Sequence, residues 1–273
     1  MNRTLFSLTA FLIVVTSCNK EDFTYSYPEV VKLLLSVTRT EGDAEFRAEF
    51  KYDSFNRIIE LKNFFPEGEQ VIETYKYNDA GQLIEKSIVN SASTYDYHVA
   101  TYNYNNAEQL IEEIVQYISP HYTHETKTEF QYKNGKINKG IEYSAEGEIL
   151  YNISYKYDSR GNTLEKISRV VGSESEFAMI EQKFRYDTKV NPNAHNGLVM
   201  PQGYIFSYFP DIKQINNPVY SSYSNMLMSS IPPEYEISYD YDSNGLPVKA
   251  IMDNVRFPGQ RSVIVEYVYG NKL

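Results

Sequence analysis

A unit of about 27 residues recurs along this sequence and constrains its fold more than any other feature. The unit reads aromatic residue, any residue, Tyr, then Asp or Asn, two more residues, Gly or Asn, and a return segment. It is clear at Tyr75-Lys76-Tyr77-Asn78, where Gly81 fills the glycine position. The second aromatic recurs as Tyr52, Tyr77, Tyr104, Tyr132, Tyr157, Tyr186 and Tyr241, in steps of 25, 27, 28, 25, 29 and 55 residues. A regular step of this length is typical of units that stack on their neighbours.

The chemistry of each unit predicts a β-hairpin turn. Two aromatic residues separated by one position lie on the same face of a strand. Asp or Asn opens a turn by bonding its own backbone, and Gly or Asn tolerates the left-handed conformation that closes it. Asn134-Gly135 predicts the tightest of these turns. Glu108 occupies a glycine position, so its turn is expected to be either strained or differently built.

The segments between the turns have the two-residue period of strands. Leu33, Leu35 and Val37 alternate with polar residues, and no sustained helical period follows the first residues of the chain. The 26 Tyr and 14 Phe residues also favour strands. We therefore predict an all-β fold, an antiparallel meander of repeated β-hairpins within one domain at residues 30–273. The final strand, Val263 to Tyr269, is apolar enough to be central or to close the sheet against the first.

The repeat lapses at residues 188–235. Six prolines interrupt this range: Pro192, Pro201, Pro210, Pro218, Pro232 and Pro233. Because proline breaks strands and helices, we predict an irregular, aromatic-rich segment with room for a short helix, packed as a plug or lid.

The first residues predict export and lipidation. Residues 1–17 have the layout of a secretory signal peptide, with Arg3 before a short apolar run. Val15-Thr16-Ser17-Cys18 resembles a bacterial lipobox, in which the cysteine is diacylated and becomes the first residue. Residues 18–29 would then be the lipidated Cys18 and its tether, and the membrane a partner through that anchor. An ordinary signal peptide with an incidental cysteine is the alternative.

The residues after Cys18 predict a cellular location. Asn19-Lys20-Glu21-Asp22 resembles the export tag that sends lipoproteins to the outer face of some outer membranes, although a solvated tether would look the same. We expect outer-membrane attachment, with the tag favouring the cell exterior. Without Arg3 the chain has 25 basic and 36 acidic residues, a net charge of −11. This balance argues against nucleic-acid partners and against lying on anionic lipid.

Two turns connect the sequence to a known repeat. Tyr157-Asp158-Ser159-Arg160-Gly161-Asn162 and Tyr241-Asp242-Ser243-Asn244-Gly245-Leu246 resemble the YD repeats of large bacterial Rhs-type and wall-associated proteins. With Tyr186 to Pro192 and Asn216-Asn217-Pro218, the chain looks like uncharacterised YD-repeat-like lipoproteins of gut-type Gram-negative bacteria. The resemblance covers roughly residues 30–270 and implies a porin-like β-barrel, so the expected architecture is a curved sheet or such a barrel. Its motifs are turn motifs, which specify fold rather than function.

The charge pattern predicts that this barrel does not span a membrane. A lipid-facing barrel needs one wholly apolar face on each strand. Glu85-Lys86, Glu112-Glu113 and Glu165-Lys166 each place charges on both faces, because adjacent strand residues point to opposite sides. We therefore expect a soluble barrel or sheet, held by its lipid.

Two groups of residues are candidate metal ligands, and for neither group is a metal site the favoured interpretation. His121, His124 and Glu125 lie close in sequence, but a surface loop explains them better, since no further ligand pattern accompanies them. Asp240, Asp242 and Asn244-Gly245 imitate the start of a calcium loop. Ile251 stands where the bidentate Glu is required, and a repeat turn already explains these residues. We expect no metal and no cofactor.

The sequence shows no known catalytic signature, so a binding role is favoured. It lacks a Gly-x-Ser-x-Gly elbow, a phosphate loop and a dinucleotide fingerprint. We expect a non-enzymatic outer-membrane lipoprotein, a β-repeat scaffold that binds a glycan, a peptide or a protein, with Tyr204, Phe206 and Tyr208 as ligand-binding residues. The alternative is a surface hydrolase of glycan or peptide whose carboxylate pair the sequence does not identify. A hollow toxin-enclosing shell is disfavoured, since the sequence contains no separate toxin-sized domain.

Overall fold

The computed structural model describes residues 32–90, 97–119, 122–171, 180–192, 214–225 and 234–271, and these form sixteen antiparallel strands. The strands are β1 Lys32–Glu41, β2 Ala44–Tyr52, β3 Ile58–Phe64, β4 Gln70–Tyr77, β5 Leu83–Asn90, β6 Tyr97–Tyr104, β7 Leu110–Ile118, β8 Thr123–Lys133, β9 Lys136–Ser144, β10 Ile149–Tyr157, β11 Thr163–Val170, β12 Ile180–Val190, β13 Asn216–Asn225, β14 Glu234–Tyr241, β15 Pro247–Asn254 and β16 Val263–Asn271. The predicted all-β meander of hairpins is confirmed.

The sheet closes on itself. Every strand pairs with the next one along the chain, and β16 pairs with β1 from Lys32↔Asn271 to Glu41↔Val263. The fold is therefore a closed barrel, and the open curved sheet is not formed. The final strand takes the closing position, which removes both sheet edges. No helix in the described part of the chain is long and apolar enough to cross a membrane.

One strand lies where the sequence predicted irregular structure, and that prediction is wrong for residues 216–225. β13 pairs with β12 and β14 although it contains Pro218, which cannot donate a ladder hydrogen bond. The strand accommodates the proline at a register shift, between Arg185 and Tyr186 of β12. Residues 188–190 likewise continue β12.

The two faces of the barrel wall differ in chemistry. On β2, Phe46, Ala48, Phe50 and Tyr52 point inward, while Glu45, Arg47, Glu49 and Lys51 point outward. The adjacent charges noted in the sequence divide in the same way. Glu85 faces outward, 2.7 Å from Lys76, whereas Lys86 faces inward against Glu73. Both faces therefore carry charges, as predicted.

The interior is packed with apolar and aromatic side chains. The buried cluster includes Val37, Leu61 and Ala250, each 0% exposed, and contains residues from strands on both sides of the β1–β16 pair that closes the barrel. Burying a large aliphatic side chain contributes about 1.5 to 3 kcal/mol relative to exposure. The wall is thus held by interior packing as well as by its ladders.

The strand directions define two rims. The connections that follow the second tyrosine of each unit lie at one end of the barrel, which we call the turn rim. β1 begins and β16 ends at this rim. The opposite end, formed by the connections β1–β2, β3–β4 and their counterparts, is the open rim.

Candidate functional site

The turns of the turn rim have the predicted chemistry. In the unit ending at Tyr157, the Asp158 carboxylate accepts hydrogen bonds from the backbone N–H groups of Arg160 (2.9 Å) and Asn162 (2.8 Å). Gly161 has φ +93°, in the left-handed region. Glu108 also lies in that region, with φ +60°, and its N–H donates to the Asn105 carbonyl at 2.9 Å, as Gly81 does to Asn78. Its turn is therefore the strained alternative and not a differently built loop.

Tyrosine hydroxyl groups link the units at this rim. Each donates a hydrogen bond of 2.7 to 3.0 Å to a carbonyl near the start of the preceding strand. The donor and acceptor pairs are Tyr52 to Leu34, Tyr77 to Ile58, Tyr104 to Leu83, Tyr132 to Leu110, Tyr186 to Thr163, Tyr239 to Pro218 and Tyr269 to Pro247. Turns join β2 to β3 and β4 to β5, while these tyrosine links join the intervening pairs, β1 to β2 and β3 to β4.

The strand ladders explain why the links are needed. Pairing between β5 and β6 stops at Glu85↔Thr101, so the first residue of β5, Leu83, lies beyond the ladder. Its carbonyl is inside the wall, and a buried carbonyl needs a donor. The hydroxyl of Tyr104 supplies one. On its other side, β5 has a bulge next to Tyr77, where Ile84 is the extra residue.

The linking phenols are only weakly acidic because they are enclosed by the barrel. Burial raises the pKa of Tyr104 and of Tyr132 to about 12. Burial likewise raises the pKa of Tyr77, and the nearby Arg57 opposes this. The hydroxyl groups therefore stay protonated and keep donating at physiological pH.

A buried asparagine cluster fixes the two strand ends that flank residues 193–213. The Asn162 Oδ1 accepts hydrogen bonds from the backbone N–H groups of Ile215 (2.7 Å) and Asn216 (2.9 Å). The Asn216 Nδ2 donates to the Lys189 carbonyl at 2.9 Å. Asn162 is 0% exposed and belongs to the turn between β10 and β11. The strand ends on either side of residues 193–213 are therefore held by the turn of another unit.

A charged group lies inside the wall at mid-height. The Lys86 Nζ is 3.2 Å from the Glu73 carboxylate, and their side chains are 7% and 0% exposed. The Tyr75 hydroxyl donates to the same carboxylate at 2.9 Å, and the Asn63 Nδ2 donates to it at 3.4 Å. The pair is therefore neutralised and hydrogen-bonded, as buried charges require.

Inward-pointing side chains near the open rim form a second polar region, which we call the mouth. It consists of Glu41, Tyr117, Glu142, Tyr151, Tyr223 and Tyr235, all at or within three residues of strand ends at that rim. Tyr117 is 38% exposed and the Glu41 side chain is 49% exposed. Burial and the Glu41 carboxylate raise the pKa of Tyr235, against the effect of Arg39. The mouth thus combines aromatic rings and carboxylates with two basic side chains: Arg39, which bonds to Glu41, and His98, whose ring centre lies 3.4 Å from that of Tyr117.

Among the described residues, two buried polar atoms that point into the barrel from strands of this half have no hydrogen-bond partner in the protein. They are the Asn63 Oδ1 on β3 and the Ser221 Oγ on β13. Ser221 pairs with Tyr235 and lies two residues from Tyr223, at the base of the mouth. Its exposure is 2%, and that of Asn63 is 4%. Unsatisfied buried polar atoms are costly, so such positions are candidates for contact with a bound molecule.

The two rims differ in charge. We count, in the described residues, each connection and the two strand residues on either side of it. The turn rim then has nine basic and six acidic residues: Lys32, Lys51, Arg57, Lys76, Lys133, Lys136, Lys156, Arg160 and Lys189 against Asp53, Asp79, Glu108, Asp158, Asp240 and Asp242. The open rim has three basic and ten acidic residues: Arg169, Arg256 and Arg261 against Glu41, Asp43, Glu45, Glu67, Glu69, Glu146, Glu148, Glu181, Glu234 and Asp253. The mouth therefore opens in an acidic surface.

Most residues that the sequence singled out lie elsewhere. Cys18, Tyr204, Phe206 and Tyr208 are outside the described residues, as is His121. The strand ends that flank residues 193–213 lie at the turn rim, opposite the mouth. Sequence reasoning missed the mouth, because its residues come from strands far apart in the chain.

The described members of the two candidate metal groups occupy ordinary strand and turn positions. His124 and Glu125 are adjacent on β8, so their side chains point to opposite faces and do not converge on one ion. Asp242 accepts hydrogen bonds from the backbone N–H groups of Asn244 (2.8 Å) and Leu246 (3.0 Å), which is the repeat turn expected there. No group of three metal-ligating side chains occurs within the described ranges.

The fold is similar to two solved structures of porin-like proteins. A porin-like protein from Bacteroides uniformis aligns with a TM-score of 0.56 at 14% identity, covering 89% of this chain and 98% of that chain. A porin-like protein from Bacteroides vulgatus aligns with a TM-score of 0.50 at 12% identity, covering 88% and 99%. No family model matches the sequence, and no curated protein matches it either. The likeness therefore establishes a porin-like β-barrel fold.

Proposed function

We propose that this protein is a lipid-anchored binding scaffold of the outer membrane whose barrel stands in water. The observation that supports this most directly is the charged outer face. Outward ion pairs recur around the wall, among them Arg47 with Glu49 (2.6 Å) and Lys156 with Glu165 (2.6 Å). Charged side chains on a lipid face cost about 2 to 4 kcal/mol each at the bilayer midplane for Lys or Arg. Such a wall favours solvent over hydrocarbon.

The position of the first strand supports the anchor. β1 begins at Lys32 on the turn rim. Thirteen residues separate Lys32 from the proposed lipidated Cys18, and an extended chain of that length spans at most about 45 Å. The barrel would then stand with its turn rim towards the membrane and its mouth away from it. The YD-repeat turns support membership of the lipoprotein family that the sequence resembles.

Fractionation tests the anchor and the exposed wall separately. We expect the processed wild-type protein to stay with membranes until detergent is added. A chain without residues 1–17 and with Cys18→Ala should remain in the aqueous fraction without detergent. If this variant still needs detergent, the wall is not water-exposed; if the wild type is released without detergent, the lipid anchor is wrong.

Binding through residues 188–235 is the sequence-based part of the proposal. In the sequence, Tyr204, Phe206 and Tyr208 fall between two strand ends that the asparagine cluster holds in place, which supports a role for this segment. Alanine variants of the three residues, measured against a glycan and peptide array, test this role. Unaltered binding in all three would remove the segment as the ligand site.

A further inference from the structure

We propose that the mouth is a separate binding site for a basic peptide segment, one that presents Arg or Lys side chains. This inference rests on the proposed binding function and assigns to it a second location and a ligand class. The mouth lies at the end of the barrel opposite the ends of β12 and β13 that flank residues 193–213. Its ligand chemistry follows from the hydrogen-bonding, aromatic and charged groups that line it.

The unpartnered atoms in this half of the barrel favour a ligand that donates hydrogen bonds. The Asn63 Oδ1 is an acceptor, and the Ser221 Oγ can accept. Both are more than nine-tenths buried and face the interior. Guanidinium and ammonium groups donate hydrogen bonds and accept none. An Arg or Lys side chain entering the mouth would therefore complement both acceptors, whereas a carboxylate would repel the Asn63 Oδ1 and could only accept from the Ser221 hydroxyl.

The aromatic and acidic groups of the mouth favour a cation. Tyr117, Tyr151 and Tyr235 lie on the inner face near this rim, and cations are attracted to the faces of such rings. The Tyr117 ring already contacts the His98 ring, with 3.4 Å between their centres. The barrel already uses this contact, since the Arg39 guanidinium lies 4.9 Å from the centre of the Phe46 ring. Glu142 adds a carboxylate on the inner face, and Glu41 adds a second one, which already bonds to the Arg39 guanidinium.

The surrounding rim favours the same ligand at long range. The ten acidic and three basic residues of the described open rim produce a negative field. A concave surface with one sign of charge concentrates ligands of the opposite sign and accelerates their binding. A neutral glycan gains nothing from this field, and an anionic one is repelled. A basic peptide is therefore the ligand class that the observations favour.

The test uses the full chain, purified in a nonionic detergent, with a labelled peptide of five Lys-Gly repeats as the probe. A Glu-Gly peptide and a neutral glucan hexamer serve as comparison ligands. We expect binding of the Lys-Gly peptide alone, weakening at least tenfold between 50 and 500 mM salt, on the order expected for screened charges. Preferential binding of the glucan would overturn the ligand class, and absence of peptide binding would overturn the site.

Matched variants locate the site. Glu142→Gln should raise the Kd about fivefold, while Glu125→Gln, which removes the same charge from the outer face at a similar height, should change it less than twofold. Tyr117→Ala is compared with Tyr143→Ala on the outer face in the same way. Equal effects within either pair would place binding outside the mouth, with the binding function itself intact.

Ser221→Ala separates a ligand contact from a structural role. The change removes a buried hydroxyl that has no partner, so the protein should be at least as stable as the wild type. Peptide affinity should nevertheless fall about threefold or more, the loss typical of one hydrogen bond. Unchanged affinity would exclude Ser221 from the site. Peptide binding that survives these changes but is lost on replacing Tyr204, Phe206 and Tyr208 together would assign the ligand to residues 188–235.

Discussion

Replacing Tyr104 with phenylalanine tests whether the tyrosine links hold the units together. The substitution removes one hydroxyl and leaves the ring, and phenylalanine is already used as the first aromatic of units at Phe50 and Phe130. In the wild type this hydroxyl lies 2.9 Å from the Leu83 carbonyl, at a residue that is 4% exposed. The variant leaves that carbonyl without its donor, which costs about 1 to 1.5 kcal/mol.

The measurement is urea unfolding of the chain without residues 1–17, carrying Cys18→Ala. Tyr143→Phe is the control, because its hydroxyl contacts Glu129 at 3.3 Å on the outer face, where such a contact contributes little. Tyr77→Phe and Tyr132→Phe should each match Tyr104→Phe, and the triple variant should lose about 3 to 4 kcal/mol if distant sites add. Equal losses for Tyr104→Phe and Tyr143→Phe would refute the claim that the links stabilise the rim.

Three further predictions concern other parts of the wall. Glu108→Gly should raise the free energy of unfolding by about 1 kcal/mol, because glycine adopts the left-handed conformation without a steric penalty. Gly81→Ala should lower the free energy of unfolding by a similar amount. Urea unfolding in which both variants change stability in the same direction would contradict this. Lys86→Met should lower the free energy of unfolding by about 3 kcal/mol or more, because it leaves the Glu73 carboxylate buried without its cation. Adding Glu73→Leu should restore most of that free energy. If the second change does not restore it, the two charges are not coupled. The linking phenols have a folded pKa above the unfolded value of 10, so their stabilisation is complete below pH 10 and is lost as pH rises towards 12; a flat midpoint from pH 9 to 12 would contradict it.

The local structure of the wall was predictable because it is determined by short sequence patterns. The two-residue alternation defines strand faces, and each turn is specified by about five adjacent residues, as Asp158 and Gly161 illustrate. The strain at Glu108 followed from the same rule. Closure was left open by the sequence, because pairing of β1 with β16 joins residues more than 200 positions apart and depends on the accumulated twist of every unit between them.

The buried polar contacts were not predictable from local patterns. Asn162 follows a turn glycine, at a position that Gln82 and Leu246 fill in other units, so it looked like an ordinary turn residue. Its partners, Ile215 and Asn216, are 53 and 54 residues away. β13 was missed because proline and serine weaken its strand pattern, although its neighbours on both sides supply the pairing. The mouth required the register of all strands.

The alternation of turns and tyrosine links around one rim has a consequence for how such a barrel changes in size. A unit such as those of Tyr77, Tyr104 and Tyr132 brings two strands, the turn that joins them at this rim, and a hydroxyl that ties them to the unit before. A duplicated unit would therefore arrive with its own attachment to the preceding unit, and a deleted one would remove its own. The circumference of the wall can thus grow or shrink by pairs of strands through gene duplication or loss, while the rule for joining neighbours stays the same.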